Sequence, residues 1–238
     1  MYKLLSIRNG LFLIFFAFFS CKTDEAEYIK NAKTLLDEGK SEESINAINQ
    51  ALKINPNNSE SYNLRGVAYL SDQEYEKAIE DFTKAMSIDS TDYKYVFNRA
   101  NAKKDEGNYE GALEDYNKAV ELSPEVADIY TNRGFVLYNM QLFNRAIKDF
   151  DYAIEIDPEN NINFFNKARA LIRLNQIEDA KFNLARSIDI DPEHANSFYW
   201  LGLVQVLSDE SDKGCVNLNK AKELGSVEAK QVYKGYCE

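Results

Sequence analysis

The chain has 238 residues, of which 39 are acidic and 28 are basic, so its formal net charge is −11. So acidic a surface argues against nucleic acid as a general partner, because phosphate binding depends on clustered positive charge. A single histidine, three cysteines and the lack of a phosphate loop or a Gly-x-Ser-x-Gly elbow lead us to expect no metal, no cofactor and no enzyme.

An apolar run near the N-terminus ends at a cysteine. Residues 11–19, LFLIFFAFF, form an uninterrupted apolar stretch of nine residues. A membrane-spanning helix needs about 20 such residues, whereas the core of an export signal needs about 7–15. Lys3 and Arg8 supply the basic flank that precedes such a core. The length therefore favours an export signal over a transmembrane helix.

The sequence FFSC at 18–21 resembles the lipobox of bacterial lipoproteins, with Phe18 in place of the usual leucine. The resemblance implies that residues 1–20 are cleaved as a signal peptide and that Cys21 carries the lipid. Residues 21–26 would form a short acidic tether, similar to the tags that send some lipoproteins to the outer face of the outer membrane. An ordinary cleaved signal or a short anchor is the alternative.

After the tether the sequence repeats every 34 residues without a gap. Six segments align, starting near residues 25, 59, 93, 127, 161 and 195. In each segment positions 8, 20 and 27 are small and position 24 is apolar or aromatic. Position 24 holds Ile48, Phe82, Tyr116, Phe150, Leu184 and Leu218.

This pattern resembles the tetratricopeptide repeat over nearly all of the chain after Cys21. The resemblance implies an all-α, right-handed solenoid of six helix-turn-helix repeats over residues 27–238. Stacked repeats share a core that a single helix pair cannot form. Residues 226–238 are expected to cap the last repeat with one more helix, for which Ser226 is a suitable N-cap.

Positions 2, 5, 6, 9, 12 and 13 of each first helix share one face at about 100° per residue. The resemblance implies that this face lines a concave groove that binds a peptide. The groove residues predicted to bind are Phe97, Asn98, Asn132, Phe135, Tyr138, Phe165, Asn166, Arg169 and Tyr199.

Asparagine recurs at position 6 of three repeats, as Asn98, Asn132 and Asn166. This resembles the asparagine ladder by which some members of the family hold an extended peptide. An amide can both donate to and accept from a peptide backbone, whatever the peptide's side chains. The alternative is that asparagine merely suits the helix surface.

Aromatic side chains on the same face are expected to be exposed in an empty groove, since clustered apolar surface usually marks an interaction site. Packing between successive first helices would account for part of this surface. Basic residues give the groove a sign opposite to the net charge of the molecule. The aromatic set is Phe97, Phe135, Tyr138, Phe165, Tyr199 and Trp200, and the basic set is Lys94, Lys104, Arg169 and Arg173.

Two cysteines remain if Cys21 carries a lipid, in a compartment where disulfides persist. Cys215 and Cys237 lie at similar distances on either side of Gly225, so an antiparallel hairpin would place them side by side. We predict a Cys215–Cys237 disulfide, with two buried free thiols as the alternative.

The sequence thus predicts a non-enzymatic adaptor that is lipid-anchored in the bacterial cell envelope, at the outer membrane, and that binds a protein or peptide in its groove. It resembles the repeat lipoproteins that serve pilus assembly, outer-membrane protein assembly and envelope hydrolase control. The alternative is a structural protein that dimerises through the apolar face of its last repeat.

Overall fold

The structure, a computed structural model, describes residues 24–238. The predicted signal peptide and the predicted lipid site at Cys21 lie outside these residues. Within residues 24–238 the chain forms thirteen α-helices and no strand. None of these helices is both long enough and apolar enough to cross a bilayer.

The helices follow one another as six pairs and a final single helix, which confirms the predicted all-α solenoid. Their bounds are α1 Glu25–Asp37, α2 Ser41–Ile54, α3 Ser59–Ser71, α4 Tyr75–Ile88, α5 Tyr93–Glu106, α6 Tyr109–Leu122, α7 Ala127–Asn139, α8 Phe143–Ile156, α9 Asn161–Arg173, α10 Ile177–Ile190, α11 Ala195–Leu207, α12 Ser211–Glu223 and α13 Val227–Tyr236.

Each helix packs against the next in the chain, and the odd-numbered helices also contact one another from α1 to α9. The even-numbered helices make no comparable contacts with each other. The row of helices is therefore curved, with the odd-numbered helices on its inner face. This inner face is the side on which the sequence predicted the groove.

Small residues at position 8 allow the two helices of a repeat to approach closely. A Cβ atom on Gly66 would lie 2.6 Å from the ring of Phe82, and one on Gly134 would lie 2.7 Å from the ring of Phe150. Both rings are fully buried. At this distance a Cβ atom would force the ring or the backbone to shift. The absence of a side chain at position 8 therefore makes room for the large aromatic residue at position 24.

The turn inside every repeat places its position 15 in the left-handed backbone region. The six residues there are Gly39, Gln73, Gly107, Gln141, Asn175 and Asp209. Left-handed backbone reverses the chain after the first helix, and only glycine adopts it without steric cost. The period of 34 residues is thus visible in the backbone as well as in the packing.

A charged pair recurs in repeats two, three and four, where arginine at position 7 holds aspartate at position 23. In each pair two guanidinium nitrogens donate to the two carboxylate oxygens, at 2.6–2.8 Å, and the aspartate is buried. The pairs are Arg65–Asp81, Arg99–Asp115 and Arg133–Asp149. We call these three pairs the arginine ladder.

The third guanidinium nitrogen of each ladder arginine reaches back to the preceding repeat. Arg65 donates to Asn49 at 2.8 Å, Arg99 to Thr83 at 3.0 Å and Arg133 to Asn117 at 3.0 Å. Each ladder arginine therefore joins the two helices of its own repeat. It also fixes the position of that repeat on the preceding one. The hydrogen bond to Asp81 also raises the pKa of Arg65 above its ordinary value.

The C-terminal helix α13 closes the last repeat. Ser226 accepts a hydrogen bond from the backbone N–H of Ala229 at 3.1 Å, so it is the N-cap that the sequence predicted. Ala229 is fully buried, and Val232 and Tyr233 pack against the core of the last repeat. In the structure Cys215 and Cys237 form a disulfide between α12 and the end of α13, with Cα atoms 5.7 Å apart.

Reduction of this disulfide should loosen α13 and leave the middle of the solenoid unchanged. The bond spans 22 positions of sequence, and closing such a loop is worth about 3 kcal/mol on the chain-entropy model. We expect amide hydrogen exchange in α13 to accelerate about 100-fold on reduction, with α6 as the internal reference.

The double variant Cys215→Ser/Cys237→Ser is the matched control, because its exchange should already be fast and should not respond to reductant. Two free thiols in natively exported protein, found by mass spectrometry, would contradict the prediction.

Candidate functional site

A shallow depression of about 290 Å³ lies on the inner face, between α5, α7 and α9. Six residues line it: Lys104, Thr131, Asn132, Phe135, Ile162 and Asn166. Phe135 and Ile162 are 36% and 39% exposed, so an apolar surface is open to solvent here. The predicted groove residues Asn132, Phe135 and Asn166 therefore come together in one place.

The three asparagines at position 6 are not equivalent. The Asn98 amide donates to Asn63 at 2.9 Å, and the Asn132 amide donates to the carbonyl of Asp128 at 2.9 Å. Asn132 also accepts from Lys104 Nζ at 3.1 Å. Within residues 24–238 only Asn166 of the three has no hydrogen-bond partner for its side chain. Asn166 is thus the amide best prepared to pair with a ligand.

The expected exposure of the groove aromatics is wrong for Phe165, which is only 9% exposed. Its ring packs edge-on against His194 at 4.9 Å. Phe97 is half-buried, because its ring lies 5.9 Å from the core residue Tyr116. Position 5 of the first helix, which holds both phenylalanines, faces the neighbouring repeat as well as the inner face.

Tyr199 and Trp200 are also half-buried rather than open to a groove. Tyr199 packs into the cluster that α13 completes, and Trp200 packs against the core residues of α9. Repeat six therefore exposes less aromatic surface than expected, because Tyr199 packs in the cluster that includes α13 and Trp200 packs against the preceding repeat. Of the six predicted aromatics, Phe135 is the most open.

Two arginines of α9 and three aromatic rings form a continuous array beside the depression. The Arg169 guanidinium lies 4.7 Å from the ring centre of Tyr138 and 5.6 Å from that of Phe165. Tyr138 packs edge-on against Phe143 at 5.4 Å, and Arg173 lies 5.1 Å from the centre of the Phe143 ring. We call this array the α7–α9 stack.

Phe143 is not among the predicted groove residues, because these all belong to the first helix of a repeat. Phe143 begins α8, and its position in the sequence carries no signal that it supports an arginine of the next repeat. Lys104 also lies over an aromatic ring, because its ammonium is 5.9 Å from the centre of the Phe135 ring. Its carboxylate partner is Asp105, at 3.5 Å.

His194 is the N-cap residue of α11 and belongs to a group of hydrogen-bonded side chains. Its Nδ1 is 2.7 Å from the hydroxyl of Ser197, which is 2.8 Å from the hydroxyl of Ser187. Burial lowers the pKa of His194, and the nearby Asp191 opposes this only in part. In the part of the chain that the structure describes, no group of side chains is arranged to hold a metal ion.

Four sequence models of known families match the chain. The model described as TPR repeat matches residues 100–141, and three models described as tetratricopeptide repeat match residues 29–93, 127–160 and 163–194. The chain therefore contains tetratricopeptide repeats, and with its paired helices it is an all-α tetratricopeptide-repeat solenoid.

Solved structures of other proteins have the same fold. pilF of Pseudomonas aeruginosa has a TM-score of 0.78 and 20% identity over 89% of this chain and 97% of its own. YrrB, described as a TPR protein with an unusual peptide-binding site, has a TM-score of 0.65 and 22% identity over 79% of this chain and 98% of its own. MamA has a TM-score of 0.64 and 19% identity over 69% and 96%.

No curated protein is significantly similar to the chain in sequence. At identities of 19–22% the structural neighbours show the fold alone. The tetratricopeptide repeats themselves indicate a scaffold for protein–protein interaction.

Stability should fall when the pH is lowered through the range in which histidine titrates. The chain has one histidine, whose folded pKa lies below its unfolded value of about 6.5. The unfolded state therefore binds the proton more readily, so stability is fully present above pH ~6.5 and is lost as the pH falls toward the folded pKa.

Urea midpoints at about pH 7.5 and about pH 5.5 measure the effect, because carboxylates titrate mainly below this window. The variant His194→Gln should show a much flatter dependence. An equal loss of stability in both proteins would contradict this assignment.

Proposed function

We propose that the protein is a non-enzymatic adaptor of the bacterial cell envelope that binds an extended segment of a partner protein on its inner face. The depression between α5, α7 and α9 would be the centre of the site. One apolar side chain of the partner would lie against Phe135 and Ile162, and its backbone would pair with Asn166.

The unpartnered amide of Asn166 is the observation that carries this proposal. It lies beside exposed apolar surface, and an amide that a ligand covers must find a partner or cost about 1–3 kcal/mol. An extended backbone offers both a donor and an acceptor to such an amide. The Asn98 amide, by contrast, is already bonded within the fold, to Asn63.

Asn166→Ala should weaken peptide binding by about 5- to 150-fold, the range that corresponds to about 1–3 kcal/mol for a hydrogen bond in a desolvated site. The full chain, purified in detergent, would be used to select peptides from a displayed random library, and calorimetry would measure their affinity.

Asn98→Ala is the matched control, since it removes the same side chain from the same repeat position where the amide is already bonded to Asn63. Equal affinities of the two variants would show that Asn166 is not a contact.

The proposed location rests on the sequence that precedes the solenoid. Cys21 follows an apolar run too short to span a membrane, and α1 begins at Glu25. A lipid on Cys21 would hold the first repeat next to the membrane surface, because fewer than five residues separate them.

Cys21→Ser should therefore release the protein from membranes or leave an uncleaved precursor. Membrane fractionation and metabolic labelling with a fatty acid measure this outcome. Continued acyl labelling of the serine variant would exclude Cys21 as the lipid site.

Self-assembly through the last repeat is the second candidate. Leu207 and Val216 of that repeat are 64% and 70% exposed, which supports a contact there. The cap helix, however, already covers part of the apolar face that the sequence offered for dimerisation. Sedimentation over a range of concentrations distinguishes this function from peptide binding, because only self-assembly makes the mass depend on concentration.

A further inference from the structure

We propose that the partner segment is acidic, and that its carboxylates are bound by Arg169 and Arg173 of the α7–α9 stack. This inference rests on the proposed function and specifies the chemistry of the segment that occupies the inner face. It makes the stack the part of the site that selects the partner, while the depression beside it accepts an apolar residue.

The arginines of residues 24–238 divide into two groups. Four of the seven form ion pairs with aspartates of the same chain: Arg65, Arg99, Arg133 and Arg186. In the described residues the other three, Arg145, Arg169 and Arg173, have no carboxylate within 4 Å. Two of these three lie on α9 at the inner face. The molecule has 39 acidic residues, so a shortage of carboxylates does not explain why these two arginines are unpaired.

The geometry of the α7–α9 stack leaves the arginines ready to bind a carboxylate. Each guanidinium lies over an aromatic ring, a contact that does not use up its hydrogen-bond donors. In the described chain no side chain accepts a hydrogen bond from Arg169 or Arg173, so their N–H donors remain available to a ligand. A planar, oriented fork of donors is the arrangement that matches a carboxylate in bidentate fashion.

The spacing of the two arginines fits an extended partner. Residues 169 and 173 are one helical turn apart, so their positions are separated by about 6 Å along α9. Alternate residues of an extended chain are about 6.6 Å apart and point to the same side. Two acidic residues separated by one other residue can therefore reach both arginines.

The α7–α9 stack is continuous with the depression. Arg169 follows Asn166 by three residues on α9, and Tyr138 follows Phe135 by three residues on α7. Residues three apart on a helix are neighbours on its surface, at about 5–6 Å. One short segment can therefore contact the stack with its acidic side chains and the depression with an apolar one.

The net charge of −11 does not prevent an acidic segment from binding at this site. At physiological ionic strength charges further away than about 8 Å are largely screened. The two arginines are in direct contact with the bound carboxylates, whereas most acidic residues are separated from them by several helices. Local attraction therefore outweighs the distant repulsion, and high salt should weaken it.

The experiment selects peptides from a displayed random library on the full chain purified in detergent, and on the variant Arg169→Gln/Arg173→Gln. Arg145→Gln is the matched control, because it removes an arginine that is also unpaired but lies on α8. We expect the wild-type protein and Arg145→Gln to select peptides rich in aspartate and glutamate.

The double variant should bind those peptides at least about tenfold more weakly, as expected for the loss of hydrogen bonds to a charged group. Circular dichroism verifies that the variant is folded.

Selection of peptides without acidic enrichment, bound more weakly by Asn166→Ala but not by the arginine variant, would overturn the acidic partner and leave the proposed function intact. Failure to select any peptide would overturn both. Acidic peptides that lose affinity only in Arg145→Gln would place their site on α8 and refute the inference. Self-association that disappears in the double variant would mean that a second copy, not a separate partner, occupies the stack.

Discussion

The arginine ladder is the interaction on which the geometry of the middle of the solenoid depends, from repeat two to repeat four. Each arginine binds a buried aspartate across its own helix pair and a polar side chain of the preceding pair. A buried ion pair adds little net stability, because desolvation offsets most of the attraction, but loss of one partner costs about 3–5 kcal/mol. Its effect is therefore to fix the angle and register between repeats that apolar packing alone would leave less defined.

The ladder changes at repeat five, and the candidate site is next to that change. Lys167 occupies the arginine position and pairs with Asp151 of the preceding repeat at 2.6 Å, while Asn183 replaces the aspartate. The unpaired positive charges of α9, Arg169 and Arg173, lie two and six residues further along the helix, over aromatic rings. Arginine thus occurs in two settings. In the ladder it pairs with a buried aspartate and fixes the stacking of repeats, whereas on α9 it lies over an aromatic ring and has no carboxylate partner within the chain.

The fold could be read from the sequence because it depends on a local period. Small residues at position 8, large ones at position 24 and a serine before α13 each act within about one repeat. The state of the candidate site could not be read in this way. Asn98 and Asn166 have the same repeat position, but only the Asn98 amide is bonded to a neighbour, Asn63. Tyr199 packs in a cluster that includes α13, a helix outside the repeat pattern. Partners contributed by other repeats decide which residues stay free.

The C-terminal helix α13 also determines where repeats can be added to the solenoid. Helix α13 occupies the surface on which the first helix of a seventh repeat would stack, and a disulfide joins it to α12. A further unit of 34 residues inserted directly before or after repeat three would meet matching ladder contacts on both of its sides. It would also lengthen the inner face. The same unit added after Glu223 would have to displace α13. Duplication can therefore lengthen the solenoid in its middle without displacing α13, whereas a repeat stacked directly on α12 cannot.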